Sequence, residues 1–144
     1  MLFRSPTYGI DSDYEGDAAA SEIGASNVYR FDPASGAISI VASDFVKPNG
    51  LAFSPDESLL YIVDTGISHV KDGPHHVRRF RLNVDGQSLS DGEVFAICPV
   101  GLYDGFRLDI HGNLWLSAGD GVHCHAPDGT LLGKIHVPEV VANV

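Results

Sequence analysis

One short unit is written twice in this chain, and the duplication governs what the chain can fold into. Lys47-Pro48-Asn49-Gly50-Leu51-Ala52-Phe53-Ser54-Pro55-Asp56 sets an amide side chain before a glycine and an apolar run. Leu102-Tyr103-Asp104-Gly105-Phe106-Arg107-Leu108-Asp109 sets a carboxylate in the same slot. Each unit passes through a turn, Pro55-Asp56-Glu57 in one and His111-Gly112-Asn113 in the other. Each then enters an aromatic-bearing strand, Leu60-Tyr61-Ile62-Val63 or Leu114-Trp115-Leu116-Ser117. Asn49 and Asp104 lie 55 positions apart and Tyr61 and Trp115 lie 54 apart, so one deletion in the turn reconciles the copies. Equivalent positions of a repeat occupy equivalent places in space, and in a radial arrangement Asn49 and Asp104 converge on one axis.

A second phase of the repeat agrees. Val28-Tyr29-Arg30-Phe31, Val77-Arg78-Arg79-Phe80 and Val122-His123-Cys124-His125 each read as a short strand running into a turn, at spacings of 49 and 45 residues. Blades of four strands recur every ~40 to 50 residues. Ile38-Ser39-Ile40-Val41 and Leu131-Leu132-Gly133-Lys134-Ile135 are further strand-like runs, bounded by Gly, Pro, Asn and Asp. No segment sustains helical periodicity. The expected fold is all-β, a partial β-propeller. At this repeat length the chain holds about two and a half to three blades, where a closed propeller needs about four to eight. Residues 1–144 are therefore expected to be a fragment of a single propeller domain with its first and last blades missing, and Val141-Ala142-Asn143-Val144 to enter another strand.

A hydrophobic content of 44% suffices for a globular core, while 19 acidic against 9 basic residues give a formal net charge of −10. That balance excludes nucleic acid and anionic membranes as partners, because both need a positive face. No apolar run approaches the about 20 residues that span a bilayer. Cytoplasmic and periplasmic locations both stay open. Cys98 and Cys124 form no CxxC pattern, so neither a disulfide framework nor a zinc site is expected. Alternation along a strand puts His123 and His125 on one face and Cys124 on the other. With no third ligand at useful spacing, the two imidazoles read as ordinary sheet residues rather than as a metal pair.

Asn49 and Asp104 offer an amide carbonyl and a carboxylate, the oxygen donors that hard divalent cations take. Asn-Gly and Asp-Gly are also common turn dipeptides. Their equivalence across the repeat favours the ligand reading, with the remaining donors coming from outside this chain and from water. A rival calcium pattern, Asp11-Ser12-Asp13-Tyr14-Glu15-Gly16 with Glu22, has the spacing of an EF-hand loop but lacks a helix on either side. It reads as a solvated acidic loop, or as a lid over the channel mouth. Asp56, Asp64, Asp109 and Asp120 read as turn or inter-blade residues, and Tyr61 and Trp115 as core.

The segments Pro6-Thr7-Tyr8-Gly9-Ile10 with Asp13-Tyr14-Glu15-Gly16, Val28 to Pro33, Pro48 to Glu57, Asp104 to Asp109 and Gly119-Asp120-Gly121-Val122 resemble a known family. It is the family of gluconolactonases, senescence marker protein and luciferin-regenerating enzyme, and the similarity is greatest to its bacterial gluconolactonase-like branch. The resemblance implies a six-bladed propeller with one divalent cation in its channel, calcium first, with zinc, manganese or magnesium as alternatives. Of the family's ligands, the asparagine of Pro-Asn-Gly and the aspartate of Asp-Gly match Asn49 and Asp104. A first-blade glutamate and a further asparagine have no counterpart. Phe3-Arg4-Ser5-Pro6 departs from the family's aromatic-Thr-Asp-Pro, so residues 1–5 are expected to be non-native and the chain truncated.

The function implied for the intact parent is calcium-dependent hydrolysis of a sugar lactone, a small-molecule substrate, with this fragment alone inactive. The cation would act as a Lewis acid on the lactone carbonyl. Asp104 is the candidate general base, and water activated on the ion beside it is the open alternative. Two other readings stand beside this one. The same site could serve a phosphotriesterase-like or other esterase, or the propeller could be a non-catalytic binding scaffold.

Overall fold

The computed structural model describes Met1 to Val144 except Glu15 and Asp91. The chain is all-β, built as three antiparallel sheets that follow one another along the sequence. Sheet one contains β1 (Leu2–Arg4), β2 (Ser26–Phe31) and β3 (Ile38–Phe45). Sheet two contains β4 (Pro48–Phe53), β5 (Leu59–Asp64), β6 (His76–Arg81) and β7 (Glu93–Ile97). Sheet three contains β8 (Phe106–Leu108), β9 (Leu114–Ala118), β10 (Gly121–His125) and β11 (Leu131–His136). Every strand pairs with its neighbour in sequence, so each sheet is a simple meander. The only helical pieces among the described residues are α1 (Tyr8–Asp11) and a 3-10 turn at Gly66–Ser68.

The repeat read in the sequence maps onto this plan. Val28, Val77 and Val122 sit on β2, β6 and β10, the next-to-last strand of each sheet. The turns that follow the first strands of sheets two and three are built alike around an aspartate. Asp56 accepts from Ser54 Oγ at 2.6 Å and from the Ser58 backbone N–H at 3.1 Å. Asp109 accepts from the backbone N–H groups of His111 and Asn113 and from Trp115 Nε1. Hydrogen bonds from Ser54 and Ser58 hold the Asp56 carboxyl down to about 2, and those from Asn113 and Trp115 do the same for Asp109. Asp64 is buried and takes the backbone N–H groups of Val46, Lys47 and Gly66, which fixes the connection from β3 into β4.

The middle sheet is covered on both faces, and β5 reports it. Leu60, Tyr61, Ile62 and Val63 are all at most 1% exposed. Period-two alternation sends Leu60 and Ile62 toward sheet one, where together with Phe80 of β6 they meet Val28 and Phe45. Tyr61 and Val63 point the other way, onto Val77, Tyr103, Phe106, Leu114 and Leu116. Side chains of this kind contribute about 1.5–3 kcal/mol each on full burial, so the two seams that flank sheet two hold the molecule together. The expectation that Trp115 is core needs correction. It fills on sheet three the slot that Tyr61 fills on sheet two, but that slot faces away from sheet two. Trp115 is therefore half-buried in a groove with Cys124 and Ile135.

Candidate active site

Asn49 lies within β4, at a bulge. Pro48 pairs with Asp64 and Leu51 with Ile62, so β4 carries one more residue than β5 across this interval. Bulges re-aim side chains near functional sites. Asp104 stands instead in the approach to β8, outside any strand. The two meet because Gly50 has no side chain. A Cβ there would lie 2.4 Å from the Asp104 carbonyl oxygen and 2.9 Å from Phe106 Cδ1. The close approach recurs one step on, where a Cβ on Gly105 would lie 2.3 Å from Asn143 Oδ1 and the Gly105 N–H donates to the Ala142 carbonyl at 2.9 Å.

Asn49 and Asp104, both half-buried, line one cavity of about 430 Å³. Leu102, Thr65, Ser68 and His69 complete its wall on the side of sheets two and three. Tyr8, Ser12 and Tyr14 close it from the segment between β1 and β2. That segment was read as a solvated loop or a lid. Glu15 lies outside the described residues; residues 12–14 and 16–25 are exposed, as a solvated loop requires, and the Asp11 carboxylate before them is 24% exposed but paired. It is bonded to the buried Lys47 ammonium and lies 3.5 Å from His69 Nε2. The Lys47 hydrogen bond is the main cause holding the Asp11 carboxyl below its usual range.

Other contacts bind the same segment to the wall. Lys47 Nζ donates to Thr7 Oγ1 and sits 5.0 Å from the centre of the Tyr8 ring. The Tyr8 hydroxyl bonds Thr65 Oγ1, and its ring meets the His69 ring edge-on at 5.2 Å. His69 Nδ1 lies 2.8 Å from Ser68 Oγ. Sequence reading did not find Lys47, Thr65 or His69. One signal was available for Lys47: it is the point at which the second copy of the repeat carries Leu102 instead.

The remaining chemistry-bearing residues lie elsewhere. His123 and His125 share a face, as alternation predicted, and that face is turned into the seam between sheets two and three. There the Tyr103 hydroxyl is 3.2 Å from His123 Nδ1 and 3.0 Å from His125 Nε2. Asp120 accepts from His123 at 2.7 Å and from Lys134 at 2.9 Å, which holds its carboxyl down to about 2. Burial pushes the His125 imidazole down and the Tyr103 hydroxyl well up. Cys98 and Cys124 are free and buried. No helix among the described residues is long and apolar enough to cross a membrane.

The cavity's donors are mostly oxygens, with the His69 imidazole beside them. An amide oxygen, a carboxylate and several hydroxyls suit a hard cation, but Asn49 Oδ1 accepts from Arg4 Nη2 at 2.9 Å, a guanidinium that a cation would have to displace. Arg4 Nε also donates to the Asn49 backbone carbonyl. Among the described residues no three of His, Cys, Asp or Glu gather into a cluster. Asn49 and Asp104 thus fit a cation in donor type alone.

Comparison with known proteins places this architecture. A gluconolactonase of Zymomonas mobilis is 33% identical over 142 residues, covering 94% of this chain and 38% of that protein. A 6-deoxy-6-sulfogluconolactonase of Pseudomonas putida is 36% identical over 104 residues, covering 69% of this chain and 33% of its own length. The solved structure of a Xanthomonas campestris gluconolactonase superposes with a TM-score of 0.87 at 37% identity, covering 99% of this chain and 45% of that one. The chain therefore spans less than half the length of these relatives. The family profile described as SMP-30/Gluconolactonase/LRE-like region matches residues 8–144, and the chain belongs to that family.

Proposed function

We propose that the full-length protein carrying this sequence hydrolyses a sugar lactone, and that the three sheets are consecutive blades, about half of a six-bladed propeller. The observation that carries the reading is that Asn49 and Asp104, 55 positions apart, line one cavity walled by hydroxyls. Relatives named as gluconolactonases support the substrate class.

In this reading water attacks the lactone carbonyl carbon and the Asp104 carboxylate takes its proton as the new C–O bond forms. When the ring C–O bond breaks, that proton passes to the departing ring oxygen, and the open hydroxy acid is released. Asn49 does not titrate, so its amide orients the reacting group at any pH. The hydroxyls of Tyr8, Ser12 and Ser68 give the polar wall against which a polyhydroxylated ring is held. A divalent cation held by Asn49 Oδ1 and Asp104, calcium first, would supply Lewis-acid polarisation of the carbonyl.

Asp104→Ala in the full-length protein is expected to lower the rate of aldonolactone opening, followed as acid release, by about 10²–10⁴-fold, the usual worth of a general base. Unchanged turnover would remove Asp104 from the chemistry. A panel that sets aldonolactones against phosphate triesters checks the substrate class, and preferential cleavage of the triesters would replace the lactonase reading.

A further inference from the structure

We propose that Lys47 is the positioning residue of the candidate site: its buried ammonium holds the Thr7–Ser12 segment in place as the outer wall of the cavity that Asn49 and Asp104 line. The inference deepens the reading above as far as the substrate is concerned, but the wall and its anchor stand on geometry alone.

Three features single Lys47 out. Its side chain is 7% exposed, which is rare for lysine and tolerated only where the charge is paired. Among the described residues, every partner of the ammonium comes from one short segment 36 to 40 positions away: Asp11 Oδ2, Thr7 Oγ1 and the face of the Tyr8 ring. Its own backbone is held rigidly, with its N–H on Asp64 Oδ1 at 2.8 Å and its carbonyl receiving the Thr65 N–H at 2.9 Å and the Thr65 hydroxyl at 3.1 Å. The lysine is thus a fixed post, next but one to Asn49, that reaches up from the wall to a segment whose other described ties to that wall run through Thr65 and His69. Inside that segment α1 is a single turn, with no buried residue and no side-chain cap. So short a helix cannot hold itself in place.

The anchor also orders the site's polar lining. Asp11 bridges Lys47 to His69, and Tyr8 stands between the Lys47 ammonium, the His69 ring and Thr65. Loss of the ammonium leaves Asp11, Thr7 and Tyr8 without the one group they share. Tyr8 and Ser12 then no longer face Asn49 and Asp104 in a fixed position.

The test uses Lys47→Met, which keeps the apolar stem and removes the charge, and Lys47→Arg, which keeps a cation. Amide hydrogen exchange across residues 7–12 of the chain should rise at least about tenfold in the methionine variant. Exchange in β5 and β6 should stay unchanged, and chymotryptic cleavage after Tyr8 should accelerate. The arginine variant should recover most of the protection. Asp11→Asn breaks the same pair from its more exposed partner and should release the same segment, so the question is answered even if Lys47→Met does not fold. Native protection of residues 7–12 in Lys47→Met or in Asp11→Asn would overturn the proposal, as would equal exchange in the methionine and arginine variants. In the full-length enzyme the same change should raise KM for an aldonolactone several-fold with a smaller effect on kcat. That second measurement fails alone if the lactone reading is wrong, because the exchange result does not depend on it.

Discussion

The molecule contains the same charged arrangement twice, turned inside out. At the cavity, Asp11 stands between Lys47 and His69, with Tyr8 alongside. In the seam between sheets two and three, Asp120 stands between Lys134 and His123, with Tyr103 alongside. In the first cluster the lysine is buried and the histidine side chain is 39% exposed. In the second the histidine is at 0% and the lysine lies at the rim. Residue type therefore does not separate a site from a scaffold here. The first cluster ties a short segment to a wall and leaves an imidazole facing a cavity. The second fills a gap between two packed sheets, its imidazole sealed inside and only Asp120 and Lys134 reaching the rim.

The largest effect that can break this contrast is on global stability. Tyr103 is fully buried and packs with Phe106, Leu114 and Val77, so Tyr103→Ala should cost about 3–5 kcal/mol, the range for removing a core aromatic. Tyr8→Ala should change the urea midpoint little and act on residues 7–12 alone. Comparable losses in the two variants would show that the outer segment belongs to the cooperative core.

A finer cut comes from Tyr103→Phe. His125 Nδ1 faces the Gly129 carbonyl at 3.1 Å and donates to it, which leaves Nε2 to accept from the Tyr103 hydroxyl. Removing that hydroxyl strands a buried acceptor, at a cost of about 1–3 kcal/mol. Urea denaturation of the pair Tyr103→Phe and Tyr103→Ala then divides the polar from the apolar share of this residue.

What the sequence made legible is what repeats. Strand positions, the aspartate-centred turns at Asp56 and Asp109, and the shared face of His123 and His125 all follow from local alternation and from equivalence between copies. The meeting of Asn49 and Asp104 on one cavity followed from the same equivalence. The two charged clusters were not legible, and the reason is physical. Lys47 and Tyr103 sit in the repeated unit where its copies disagree, Lys47 against Leu102 and Pro48 against Tyr103. Each works through partners fixed only when sheets stack or a distant segment folds over. Periodicity carries no information about a contact between positions 11 and 47. The slot of Trp115 was read correctly and its burial was not, because burial depends on what lies on the far face of sheet three.

Acid separates the clusters by a smaller effect. Lys134 and His123 hold the folded Asp120 carboxyl down to about 2, and Lys47 holds Asp11 low as well. Both folded values lie below the ordinary aspartate value of about 3.9, so the fold prefers the ionised forms. Their contribution is complete above that ordinary value and disappears as pH falls through the folded one. Between about pH 4 and pH 2 the stability of the native chain should decline, and in Asp120→Asn it should decline less. Asp11→Asn should leave that global acid limb nearly unchanged and alter only exchange in residues 7–12. Urea midpoints taken through this pH series decide between them. Parallel shifts in both variants would mean that the two aspartates serve one structural unit.

The smallest expected effect is the most discriminating. Thr65 spends its hydroxyl proton on the Lys47 carbonyl, so the Tyr8 hydroxyl is the donor to Thr65 Oγ1. Tyr8→Phe deletes that bond but leaves the ring against Lys47 and His69, and Thr65 keeps a partner. The loss should be about 0.5–1.5 kcal/mol, confined to local opening of the outer segment, read as up to about a tenfold rise in exchange with an unchanged urea midpoint. Tyr103→Phe removes the same atom from the same residue type and should act on the midpoint instead. If the two hydroxyl deletions moved the same observable, the distinction between an anchored wall and a packed seam would have no energetic content.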